Sequence, residues 1–166
     1  MRKMGFVLVV GLILALMAGE AFAASDEKNL TVNAQVDARA KLTLSHYVIN
    51  FPDADPDEVS SIPASQNPVN VTAKVRTGKT STATLEHQAA DDLKSGGDVI
   101  PISNVTWEAT GDGYVSGTMN KTTKQTAGSW VGSGSRLGSF RYYLANSWDY
   151  ATGTYTVTTT YTLTAP

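Results

Sequence analysis

Cysteine is absent from all 166 residues. That absence excludes a disulfide framework, a thiolate metal site and a cysteine nucleophile. Histidine occurs twice, as His46 and His87, and neither lies in an H-E-x-x-H or H-x-H setting. No zinc-binding pattern is therefore present. His87, in LEHQ at a strand end, is expected to be solvated. Basic runs are also missing, and the net charge is −2. Nucleic acid and anionic membrane surfaces are poor partners for such a chain. The nucleophile-elbow pattern G-x-S-x-G and the phosphate-binding glycine patterns do not occur, and the residues around Ser133 lack their spacing. Nothing in this inventory points to an enzyme. Helical spacing of apolar residues, three and four apart, is absent after the first two dozen residues.

What is present begins at the N-terminus. Arg2 and Lys3 precede an apolar run over residues 6–18, and Ala21-Phe22-Ala23 follows. A positive start, a short apolar core and an A-x-A site describe a secretory signal peptide over residues 1–23. The run is shorter than the roughly 20 residues a membrane span needs. The mature chain is expected to start at Ala24, to be exported to the periplasm, cell surface or medium, and to hold no integral membrane segment. An exported domain without disulfides must be held by packing and sheet hydrogen bonds.

Period-two alternation dominates the rest. Leu30, Val32, Ala34, Val36, Ala38, Ala40, Leu42 and Leu44 are separated by polar residues. In a strand, alternate side chains share a face, so this segment buries one face and wets the other. Parity changes after Ser45, where a bulge is expected. Residues 52–68 are rich in Pro, Asp and Ser and read as a loop. Val69, Val71, Ala73 and Val75 lead through the turn at residues 77–80 to Ala83 and Leu85, a pattern that predicts a hairpin. Ile102, Val105 and Trp107 follow, with a second bulge expected at Ser103-Asn104. Residues 114–138 are rich in Gly, Ser and Thr and predict short edge strands or loops. Phe140, Tyr142 and Leu144 mark a strand, and Tyr155, Val157, Thr159, Tyr161 and Leu163 line one face of the last.

The expected fold is all-β, an antiparallel sandwich over residues 38–166 preceded by an N-terminal strand over residues 24–37. A closed barrel is the alternative. Parity gives a core of Leu42, Leu44, Phe51, Val71, Val75, Leu85, Ile102, Trp107, Phe140, Tyr142, Tyr155, Val157, Tyr161 and Leu163.

Two patches carry candidate chemistry. Asp53, Asp55, Asp57 and Glu58 crowd one loop, as calcium ligands do, but the spacing is not that of an EF-hand, and a solvated acidic loop is the simpler expectation. Trp130, Trp148 and Tyr150 sit among small polar residues and are expected to be exposed, as a carbohydrate-binding face would be. No other cofactor is indicated.

The mature start EKNLTVNAQVDARAKLTL (residues 27–44) resembles the N-terminus of major pilins of the class 5, alternate chaperone–usher, colonisation-factor fimbriae. The end ATGTYTVTTTYTLTAP (residues 151–166) resembles their final strand, and more loosely those of spore-coat-U-like and WxL-type surface proteins. ISNVTW (residues 102–107) and VTAKVRTG (residues 71–78) fall in the same order as comparable strands of those pilins. The resemblance implies an immunoglobulin-like sandwich that lacks one strand. The N-terminal extension of another copy or a related subunit would fill it, with Leu30, Val32, Ala34 and Val36 as the inserted side chains. It further implies a periplasmic chaperone and an usher as partners. The alternative is a secreted monomeric binding module.

Overall fold

The computed structural model describes residues 25–166, so the signal-peptide assignment at residues 1–23 lies outside the described residues. Two units divide the chain, at residues 1–34 and 35–166. In the first, residues 25–34 form neither helix nor strand and are exposed. Among the described residues no helix is long and apolar enough to cross a membrane.

The second unit is an antiparallel β-sandwich. Its strands are β1 (Arg39–Leu44), β2 (Ser61–Pro63), β3 (Val69–Arg76), β4 (Thr82–Ala89), β5 (Leu93–Ser95), β6 (Asp98–Ile100), β7 (Val105–Thr110), β8 (Gly117–Thr118), β9 (Gln125–Val131), β10 (Gly134–Ala145) and β11 (Thr159–Thr164). One sheet has the order β1-β3-β10-β7-β8, with β2 paired to the far end of β10. The other has the order β11-β4-β9, and β5 and β6 form a small ribbon. β1 and β11 are both edge strands of different sheets, so the sandwich is not a closed barrel.

Strict alternation builds the core. On β3, Val69, Val71, Ala73 and Val75 are buried while Asn70, Lys74 and Arg76 face water. On β4, Ala83, Leu85, His87 and Ala89 are buried. These faces meet Trp107, Phe140, Tyr142 and Leu144 in one cluster. Burying large aliphatic and aromatic side chains contributes about 1.5–3 kcal/mol each, and rings packed edge-to-face add to this, as Tyr114 does on Trp130 and Phe140.

Several expectations change. β3 and β4 do not form a hairpin; they belong to different sheets. Crossing at the turn lets both apolar faces meet across the core, whereas a hairpin would put them side by side in one sheet. Residues 114–138 do hold edge strands, the short β8 and the seven-residue β9, but β10, the longest strand and central in its sheet, also begins there. β1 stops at Leu44, where Ser45 still bonds the carbonyl of Asn70, and the expected second bulge is a 3-10 turn at Ile102–Asn104. Trp130 is buried at 5% exposure, because its indole N–H reaches the Asp112 carbonyl at 2.8 Å and its ring packs on Tyr114. His87 is 0% exposed rather than solvated: alternation on β4 turns it inward.

Candidate functional site: an open groove between two strand edges

Half of the core expected from parity is buried: Val71, Val75, Leu85, Ile102, Trp107, Phe140 and Tyr142. The other half, Leu42, Leu44, Phe51, Tyr155, Val157, Tyr161 and Leu163, is only partly buried. The difference is positional. Leu42 and Leu44 lie on β1, Tyr161 and Leu163 on β11, and Tyr155 and Val157 just before it. The sandwich is filled at its centre and open along one side.

A groove of about 330 Å³ marks that side. Leu42, Leu44, Ile49 and Tyr47 form one wall, Thr159 and Tyr161 the other, and Val69, Met119 and Tyr142 the floor. The Tyr142 and Tyr161 hydroxyls bond each other at 2.7 Å, and burial pushes the Tyr142 phenol up to about 12. Neither phenol ionises near neutral pH, and the groove is lined mainly by apolar and aromatic side chains, with His46 and Thr160 also on its lining. Each wall ends in an unpaired strand edge, β1 on one side and β11 on the other. Backbone N–H and C=O groups of such edges are open to an added strand.

Leu30, Val32, Ala34 and Val36 take no part in the sandwich core. Leu30 is 87% exposed, Val32 82% and Val36 67%. The expected strand at residues 24–37 is not formed in the single chain, since a strand needs a partner for its ladder. Arg76 Nε donates to the Asp37 carbonyl at 2.7 Å and holds the chain just before β1.

The other candidate residues sit elsewhere. Asp53, Asp55, Asp57 and Glu58 lie together at one end of the sandwich but do not converge: among the described residues no three His, Cys, Asp or Glu side chains could hold a metal ion. Asp55 accepts the Asp57 backbone N–H at 2.9 Å, and Asp57 accepts the Trp148 indole N–H at 3.1 Å. Trp148 is exposed, as expected, while Tyr150 is half-buried and accepts from Asn104 at 2.8 Å. With Trp130 in the core, the three aromatic residues form no common face. Sequence reading placed Leu42, Leu44, Tyr161 and Leu163 in a closed core. Their position on the first and last strands of the sandwich was the signal that they border a gap. Scanning the chain against models of protein families gives no match, and searching curated proteins gives none either.

Proposed function

We propose that this chain is an exported structural surface subunit, pilin-like, that assembles by β-strand addition. The N-terminal segment of one copy lies in the groove between β1 and β11 of another. One observation carries the reading: an apolar groove bounded by two unpaired strand edges occurs in the same chain as an unpaired segment that alternates without fault. Inserted there, residues 30–36 would supply main-chain bonds to both edges. Leu30, Val32, Ala34 and Val36 would enter the groove while Thr31, Asn33 and Gln35 faced water. A one-residue slip would turn the apolar set outward, so register is strict.

Val32→Asp tests it. Burial of the valine is worth about 2 kcal/mol, and a carboxylate in its place adds a desolvation penalty. Assembly should weaken by on the order of 100-fold or more, while the monomer keeps its β-sheet circular dichroism and its melting temperature. Sedimentation reads the first and thermal melting the second. A variant that assembles normally, or one whose monomer collapses, refutes strand exchange between copies.

A further inference from the structure

The two ends of the sandwich carry opposite charge. Gly134 of β10 lies opposite Val75, and its other end, Ala145, opposite Ser61. β10 therefore spans the long axis, on the order of 35–40 Å for its length. At the Ala145 end, Asp53, Asp55, Asp57, Glu58 and Asp149 are all exposed. The Asn146 side chain braces their loop by donating to the carbonyls of Ala54 at 2.9 Å and Val59 at 3.0 Å. Trp148, 69% exposed, stands among them with its N–H held by Asp57. Toward the Gly134 end, Arg39, Lys41, Lys74, Arg76 and Lys79 are exposed. Register sets Arg39 opposite Arg76 and Lys41 opposite Lys74, like charges directly across the ladder, which is unfavourable within one copy. Arg136 lies half-buried near the same end, and its Nε has no hydrogen-bond partner. Among the described residues the salt bridges join other groups, and none involves either set. The separation is several Debye lengths at 0.1 M salt, each about 10 Å, so the ends do not neutralise each other.

From these observations we infer an end-to-end contact between two copies of this chain, the basic end of one seated on the acidic end of the next. The inference rests on the strand-addition reading and extends it, because Asp37, where the N-terminal segment leaves the sandwich, is held by Arg76 at the basic end. Docking relieves the like-charge pairs. It also offers Trp148, an exposed indole held by the Asp57 carboxylate, to a guanidinium or ammonium group of the neighbour. Opposite patches also speed correct encounter and oppose head-to-head pairing.

A charge swap in the full chain tests this, with polymer measured by sedimentation at low and high salt. Asp53→Lys, Glu58→Lys and Asp149→Lys together make the exposed groups of both ends net basic, and Arg39→Glu, Lys41→Glu and Lys79→Glu together make them net acidic. Of these six side chains only Asp149 makes a hydrogen bond, with the neighbouring Ser147 at the surface, so both variants should melt like the native protein. Each alone should give at least tenfold less polymer at low salt. Mixing the two, or combining all six changes in one chain, should restore polymer to within about twofold of native, because every junction is again of opposite charge. Native-like assembly of either variant alone, or no recovery in the mixture and the combined chain, overturns the end contact. Val32→Asp separates the two readings: if it blocks assembly while charge reversal does not, strand addition stands and the end contact falls. If charge reversal behaves as stated and Val32→Asp assembles normally, the end contact stands and strand addition falls.

Discussion

His87 lies wholly inside the sandwich with neither ring nitrogen hydrogen-bonded. Its ring centroid is 4.5 Å from that of Tyr161, its partner across β11, and 5.2 Å from that of Trp107 on β7. Burial lowers its pKa from 6.5 to about 4, with no charged neighbour contributing. In the unfolded chain the ring takes a proton near pH 6.5; in the folded chain it resists until about 4. Stability is therefore full above about 6.5, falls as the pH drops between those values, and loses about 3 kcal/mol through this group. His87→Leu should abolish that loss, read as the denaturant midpoint at pH 7 and pH 4. Parallel pH profiles for the variant and the native protein would contradict it. Asp91, held down to about 2 by the Lys94 side chain first and then by the Asp92 backbone N–H, contributes stability that is lost only below about pH 4.

At the scale of elements, β9 shows what small residues hide. Its sequence, QTAGSWV, has the composition of a loop, yet it is a strand of the three-stranded sheet. A Cβ on Gly128 would come within 2.4 Å of the Trp130 ring, so the glycine is the space into which the tryptophan folds. Gly128→Ala should cost on the order of 1–3 kcal/mol and lower the melting temperature, whereas a surface position such as Thr126→Ala should not. An unchanged melting temperature for Gly128→Ala would show that the ring is not confined there. The contrast explains which elements were readable. On β3, alternation of Val69, Val71, Ala73 and Val75 with polar residues fixes both strand and face. On β9 and the start of β10, the packing is made by a large ring over a glycine, which leaves no periodic apolar signal. Alternation likewise cannot tell β3 and β4 as a hairpin from β3 and β4 in facing sheets, because both bury the same side chains. It assigned Tyr161 and Leu163 to the core correctly by face. That face is only half covered, which follows from β11 standing at an edge, a property of the sheet order and not of the strand.

For the whole molecule, the proposed assembly joins the N-terminal segment of one copy to the open side of the sandwich of another. Residues 30–36 were recognisable from their alternation alone, whereas the groove they suit is made by β1 and β11, which lie far apart in sequence and come together only through folding. The absence of cysteine makes the pairing directly measurable, since introduced thiols have no competitors. A chain carrying both Val32→Cys and Leu44→Cys places one thiol on the N-terminal segment and one on the groove wall. Under mild oxidation, strand addition between copies predicts a ladder of covalently linked oligomers on a non-reducing denaturing gel, collapsing to monomer on reduction, and no ladder from either single variant beyond a dimer. A single internally bridged monomer would place the segment in its own groove, and the absence of any cross-link would remove it from the groove altogether; either result contradicts the account.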